Sequence, residues 1–154
     1  MKKALYFFII QFLLLSIFFL NIEVEGFVFS ISETFRYSMI AIILIGVIII
    51  TFGIIGLAEP SSSFPSNTSK KRKTMFGLGI YKYIRNPIYS GIFIVFLASS
   101  AIMGSGLNLV VTLILGLSFY LKSRIEEERL VKEYSNYKTY KNSVGRFFPK
   151  IKKK

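Results

Sequence analysis

The sequence predicts an all-α, polytopic membrane protein. It has four transmembrane helices, the last two forming a tight hairpin (88–121), and a charged amphipathic helix towards the C-terminal end. Three observations carry this prediction. Hydrophobic residues make up 53% of the chain and its mean hydropathy is +0.55, well above the soluble average. The apolar residues fall into runs close to the ~20 residues that a bilayer crossing needs. The 20 Lys and Arg residues, set against 8 acids, avoid those runs and gather at both ends and in the centre of the chain. A net charge of +12 could attract nucleic acid, but this placement is that of basic loops on one side of a membrane, beside anionic headgroups.

The elements follow in order. Residues 4–22, ALYFFIIQFLLLSIFFLNI, form the first span. Lys2 and Lys3 precede it as they would a signal peptide, but the run exceeds the usual ~7–15-residue apolar core and no small-x-small cleavage site follows. Glu23, Glu25 and Glu33 lie in a short acidic connection. The second span covers 36–57, and Gly46, Gly53 and Gly56 give it small residues at spacings that permit close helix contact. Glu59-Pro60 ends it, and the aperiodic polar stretch that follows reads as a loop. Two shorter runs, 88–103 and 107–121, flank Gly104-Ser105-Gly106, the signature of a helical hairpin. Pro87 occupies the favoured first-turn position of the third helix, and the fourth is expected to continue past Lys122.

From Ser123 the sequence becomes charged. Leu130, Tyr134 and Tyr137 follow i, i+4, i+7, one apolar stripe of a helix. Glu128 with Lys132 and Arg129 with Glu133 have ion-pair spacing. The tail VGRFFPKIKKK is basic with aromatic anchors. By length the chain is one domain, 1–154. Within it, 1–57 hold two spans, 58–78 a loop, and 79–150 a functional half. With the N-terminus inside, four spans place both termini and the 58–87 region in the cytoplasm, and only Arg36 among the basic residues near the outer side. Residues 79–91 and the Glu126–Glu128 cluster then share one face of the membrane.

Composition removes much chemistry. Cys and His are absent and all the acids are Glu. Disulfides, thiolate nucleophiles, Cys/His metal sites and a Ser-His-Asp triad are therefore excluded, and no metal ligands are assigned. Catalysis must rest on Arg, Lys, Glu, Tyr, Asn and backbone groups, or on a cofactor that brings its own reactivity.

Two segments can carry chemistry: GIYKYIRNPIYSG at 79–91 and the charged stretch from Arg124. Singly, their residues have plain structural readings. Arg85 near a helix mouth is a snorkelling arginine, the tyrosines an interfacial belt, and the glutamates a solvated face. Together they match a pattern. Gly79, Tyr81, Arg85, Asn86, Pro87, Tyr89 and Gly91 fill every position of G-x-Y-x-x-x-R-[HN]-P-x-Y-x-G. Arg124, Glu126, Glu127, Leu130, Tyr134, Tyr137, Tyr140 and Pro149 fill a second motif one hairpin later.

On these residues the chain resembles the integral-membrane methyltransferases typified by isoprenylcysteine carboxyl methyltransferase, with the phospholipid methyltransferases as relatives. The resemblance covers about 77–150. It departs at Asn86, where the carboxyl methyltransferases usually have His; at Tyr134-Ser135, for a usual Phe-Gly; and at Val144-Gly145, for a usual Val-Pro. The resemblance implies an S-adenosyl-L-methionine cofactor and a lipid-like or prenylated acceptor met in the membrane, a carboxyl group being one of the acceptor groups it allows. It also implies site roles. Arg85 and Arg124 look catalytic, while Gly79, Tyr81, Asn86, Pro87, Tyr89, Glu126 and Glu127 look cofactor-binding, the glutamate pair falling within Glu126–Glu128. Two alternatives share the passage or the fold: a nicotinamide-dependent enzyme similar to the sterol reductases, and a non-catalytic lipid-binding scaffold.

Overall fold

The structure is a computed structural model that describes residues 2–20, 22, 24–58, 79–134 and 136–150. The predicted loop at 58–78 lies, but for Ala58, outside the described residues. The elements are α1 (Lys2–Leu20), α2 (Glu33–Ala58), a one-turn 3-10 helix (Gly79–Lys82), α3 (Pro87–Met103), α4 (Gly106–Glu133) and α5 (Tyr137–Ser143). Among the described residues the regular structure is all helical, and extended pairing is limited to the single bridges Val28–Ser105 and Ile84–Gly145.

Two helices, Glu33–Leu57 and Gly106–Glu133, are long and apolar enough to cross a membrane. The other two predicted spans form shorter apolar helices, Leu5–Leu20 and Pro87–Met103. At 1.5 Å per residue the 17 residues of α3 reach about 26 Å, short of a ~30 Å hydrocarbon core, while the 28 of α4 reach about 42 Å and extend past it. Leu5, Phe8, Phe12 and Leu13 of α1 and Leu44, Ile48 and Phe52 of α2 are exposed, as lipid-facing side chains would be.

Small residues set the closest contact in the fold. The α2–α3 pair is the most extensive. A Cβ on Gly46 would come within 2.7 Å of Val95, one on Gly53 within 2.8 Å of Ile88, and one on Gly91 within 2.6 Å of Ile50 and 2.7 Å of the Gly46 carbonyl. The backbones therefore touch where the glycines face each other. On the other side α1 packs against α4, and its Phe18 also meets Phe96 of α3 edge-on at 4.6 Å. Between α3 and α4 the buried hydroxyls of Ser100 and Thr112 satisfy each other at 2.9 Å.

The Gly-Ser-Gly break is the hairpin predicted. Gly104 caps α3 in the left-handed region (φ 62°), and the Ser105 hydroxyl accepts from the Asn108 amide at the start of α4. The α1–α2 connection locks onto this turn: Phe29 N–H donates to the Gly104 carbonyl and Gly106 N–H to the Phe27 carbonyl, at 2.8 and 2.7 Å.

The fourth helix continues past Lys122 as expected, and the charged segment is its end rather than a helix apart. Residues 123–133 continue α4 without a break, because good helix formers and no Gly or Pro occupy them, and Arg129 pairs with Glu133 at 2.6 Å. The helix stops at Tyr134 (φ −131°, ψ 113°), and α5 resumes three residues later. The tail then returns under the start of α3. Arg85 N–H donates to the Gly145 carbonyl at 2.9 Å, Asn86 N–H to the Arg146 carbonyl at 3.0 Å, and the Ser90 hydroxyl to the Phe147 carbonyl at 2.8 Å.

The strap turns so tightly at Gly145 that a Cβ there would lie 1.8 Å from the Phe148 carbonyl oxygen. Gly145→Ala is expected to destabilise the protein by about 1–3 kcal/mol, as overpacking does. It should also raise protease sensitivity at 144–150. Unchanged thermal unfolding and proteolysis in detergent would show that the strap carries no strain of this kind.

Candidate active site

The site starts from the turn before α3. Pro87 takes the first helical position, where its missing N–H costs nothing. Asn86 stands at the N-cap but its side chain does not cap the helix. Instead its Nδ2 donates to the Glu127 carboxylate at 3.5 Å and to the Arg146 carbonyl at 3.4 Å. A residue type favoured for capping is thus turned to tertiary work. The preceding 3-10 turn begins at Gly79 (φ 50°) and carries Tyr81 to α2, where its hydroxyl donates to the Gly53 carbonyl at 3.2 Å.

Glu127, 1% exposed, is the centre of the arrangement. Arg85 donates to it through Nε and Nη2, at 3.0 and 3.2 Å. Arg146 donates in the same forked manner through Nε and Nη2, at 3.1 and 2.9 Å. Lys141 Nζ stands 3.6 Å from the same carboxylate. The second edge of Arg85 is closed by the carbonyls of Lys141 and Val144, both acceptors of Nη1. Desolvation nearly offsets the attraction within a buried ion cluster, so its contribution here is geometrical. One carboxylate fixes the start of α3, the end of α4, α5 and the tail to one another.

One turn of geometry away, Glu126 faces a cavity of about 340 Å3 and accepts from the Tyr89 hydroxyl at 3.3 Å. The walls are Tyr81, Tyr89, Tyr134, Tyr137 and Tyr140, with Arg85, Asn86, Pro87, Glu127, Leu130 and the end of α2 at Gly56 and Leu57. Burial, with the negative charge of Glu127 next, pushes the Tyr137 hydroxyl up to about pKa 12 against the opposing pull of Arg85 and Arg146. Burial, then Tyr137, also raises Tyr140, whose hydroxyl donates to the Tyr81 carbonyl at 2.7 Å. Both therefore stay neutral at physiological pH and offer aromatic faces and hydroxyls rather than charges. Tyr89 is held from three sides: its ring stacks on Phe119 at 4.9 Å, Lys122 stands over it at 5.4 Å, and its hydroxyl bonds Glu126.

The structure brings together Tyr81, Arg85, Asn86, Pro87, Tyr89, Glu126 and Glu127 around this one cavity. Of the three glutamates, Glu126 and Glu127 line the cavity and Glu128 does not. Gly79 does not line the cavity; it is exposed and serves the backbone turn. Arg124 is placed apart from the cavity residues. It lies on the exposed side of α4, outside the cavity lining, and makes no ion pair or hydrogen bond among the described residues. The second arginine on Glu127 is Arg146, delivered by the strap.

Sequence reasoning missed Arg146, Lys141 and Lys122. The first two sit in a basic tail whose composition suggests headgroup contact. Only its Gly145 turn, at the place where the pattern departs from Val-Pro, hinted at a specific backbone path. The stripe Leu130, Tyr134 and Tyr137 does share one surface as predicted, though the helix breaks within it and the turn to α5 brings Tyr137 and Tyr140 back to the cavity.

Comparison with known families matches residues 40–137 to the family described as phospholipid methyltransferase. No curated protein and no solved structure matches the chain. The matched stretch runs from α2 through Tyr137, includes the first motif, the α3–α4 hairpin and the second motif as far as Tyr137, and spans well over half of the sequence. The chain belongs to the phospholipid methyltransferase family of membrane methyltransferases.

Proposed function

We propose that the protein is an S-adenosyl-L-methionine-dependent methyltransferase of the membrane, acting on an amphiphilic acceptor through a carboxyl group. The observation that carries the reading is the meeting of the Arg85-Asn86-Pro87 turn with Glu126 and Glu127 around one tyrosine-walled cavity. The cavity is within the size range of small-ligand sites. Its residues suit the cofactor: a cation is favoured by tyrosine faces and by a nearby carboxylate, and Glu126 can accept from hydroxyl or amino groups. When bound, S-adenosyl-L-methionine supplies a methyl group on a sulfonium, the electrophile of the transfer.

The chain's own residues hold and orient. Glu126 and Tyr89 form a polar pair on one wall, and Tyr81, Tyr134, Tyr137 and Tyr140 shield the cavity from water. The Arg85–Glu127–Arg146 cluster keeps the walls in register and leaves a local excess of positive charge, three cations to one carboxylate, that suits an anionic acceptor. A carboxylate acceptor gives up no proton, so the lack of His is no obstacle. Holding two reactants in line with water excluded supplies much of the rate that such a transfer needs. A multi-pass arrangement of α1 to α4, both termini on the side of the site, would let a polar cofactor enter from water and the acceptor from the bilayer.

Calorimetry on purified protein with S-adenosyl-L-methionine and with NADPH tests this reading. Binding of the first, weakened by Glu126→Gln, is the expected outcome; binding of NADPH alone points to a reductase, and binding of neither to a scaffold. In a labelled methyl-transfer assay, Arg146→Ala should cut turnover by about 10²-fold, as loss of a preorganised charge does, while Arg124→Ala stays within about three-fold. The reverse order would restore Arg124 as the functional arginine.

A further inference from the structure

The apolar run of α1 is interrupted at its middle by Gln11. The side chain is 9% exposed, and its Nε2 is buried without a hydrogen-bond partner. A leucine would pack there without leaving a donor unmade, which is what destabilises a buried amide. Its Oε1 accepts from Lys122 Nζ of α4 at 3.4 Å. Lysine only donates, so this bond fixes which end of the amide meets it. An amide kept in a membrane helix with its other end unsatisfied is there for its partner. The helix precedes the stretch 40–137 that matches the family, and none of its residues lines the cavity at Glu126.

Lys122 has a competing partner. Glu126 follows it by four residues, the spacing of a helical ion pair. Yet no ion pair joins the two among the described residues. The ammonium instead stands 5.4 Å over the Tyr89 ring, on the amide of α1. Glu126 accepts from the Tyr89 hydroxyl at 3.3 Å and, as a wall of the cavity, keeps acceptor sites to spare.

We propose that Gln11 is a positioning residue for the site: it holds the Lys122 ammonium towards α1 and off Glu126, so that the carboxylate stays open to the donors of a cationic ligand. Released from the amide, the ammonium closes on Glu126 and fills the acceptor sites that a ligand's amino or hydroxyl groups need. The first helix is thereby coupled to a cavity that it does not line. That the ligand is S-adenosyl-L-methionine rests on the methyltransferase reading; the tether does not.

Carbodiimide chemistry on the purified protein reads the tether without any cofactor. The reagent activates a carboxylate, and an amine in contact displaces it, leaving an amide and a released urea. Glycine ethyl ester in excess captures the activated group where no amine is in contact. Wild type should give the glycine adduct at Glu126. Gln11→Leu should give an internal amide between Lys122 and Glu126, its share in peptide mass spectra rising about ten-fold. The midpoint of thermal unfolding should not fall, since an unmade donor is removed along with the bond. Gln11→Met serves the same end should the branched side chain not pack. In calorimetry Gln11→Leu should weaken S-adenosyl-L-methionine binding about ten-fold, yet change it by less than about two-fold in the Lys122→Met background.

An equal share of internal amide in wild type and Gln11→Leu would overturn the proposal. So would cofactor binding that ignores Gln11, or a loss of equal size in the Lys122→Met background. A lower midpoint without the new amide would make Gln11 a staple between α1 and α4. The two readings separate cleanly. If the amide forms only in Gln11→Leu while wild type binds no S-adenosyl-L-methionine, the tether stands and the methyltransferase reading falls; cofactor binding with no change in cross-linking does the reverse.

Discussion

Glu127→Ala is expected to abolish methyl transfer and to lower stability by about 3–5 kcal/mol, the cost of breaking a buried ion pair by removing one partner. The carboxylate side chain is 2% exposed, and it faces Arg85 at 7% and Arg146 at 20%. Without it, five hydrogen bonds from Arg85, Arg146 and Asn86 lose their acceptor together. Two guanidinium groups that cannot shed their charge are then left facing each other across the site. For a chain of this size the midpoint of thermal unfolding should fall by roughly 6–20 °C, at ~2–4 °C per kcal/mol. Glu127→Gln keeps the shape and part of the bonding, so its effect isolates the charge. Retention of both the midpoint and cofactor affinity in Glu127→Ala would show that the cluster does not hold the site. A loss confined to turnover would give Glu127 a direct part in the reaction.

Gly91→Leu should be nearly as severe, by a different route. A first side-chain carbon at this position would come within 2.7 Å of the Gly46 carbonyl and 2.6 Å of Ile50, and backbone cannot step aside as a flexible side chain can. The α2–α3 contact must open. Since α3 carries Pro87 and Tyr89 at its start, and Tyr81 is tied to α2 at Gly53, a shift of about 1 Å there moves three walls of the cavity at once and can cost about 10²-fold in rate. Cofactor affinity should fall with it. The comparison is Ile48→Leu on α2, itself 53% exposed, which should change neither. A Gly91→Leu protein of full activity would mean that the helices have room that their contacts deny.

Much of this was legible before any coordinates. The GSG turn fixed the hairpin because a left-handed cap and an N-cap serine need little from the rest of the chain. Gly46, Gly53 and Gly91 read as contact points because small residues are what let membrane helices approach. Arg85, Asn86, Tyr89, Glu126 and Glu127 were picked out by their pattern, and all line the cavity. The fourth helix was expected to continue past Lys122 and does, but how far it runs is a boundary that periodicity cannot place when nothing in the sequence breaks the helix.

What the sequence determined by itself was local or pairwise: apolar runs of helical length, a turn, small faces, and two motifs one hairpin apart. What only the tertiary structure decided was which arginine joins Arg85 on Glu127. Arg124 sits two residues from Glu126 in sequence, yet it is exposed and lies outside the cavity lining. Arg146 is 19 residues beyond Glu127 and reaches it because the strap, turning at Gly145, pairs with the backbone of Arg85 and Asn86. A long-range backbone path of this kind leaves no periodicity to read, and it is the tail's return beneath α3 that turns a basic tail into a partner of Glu127.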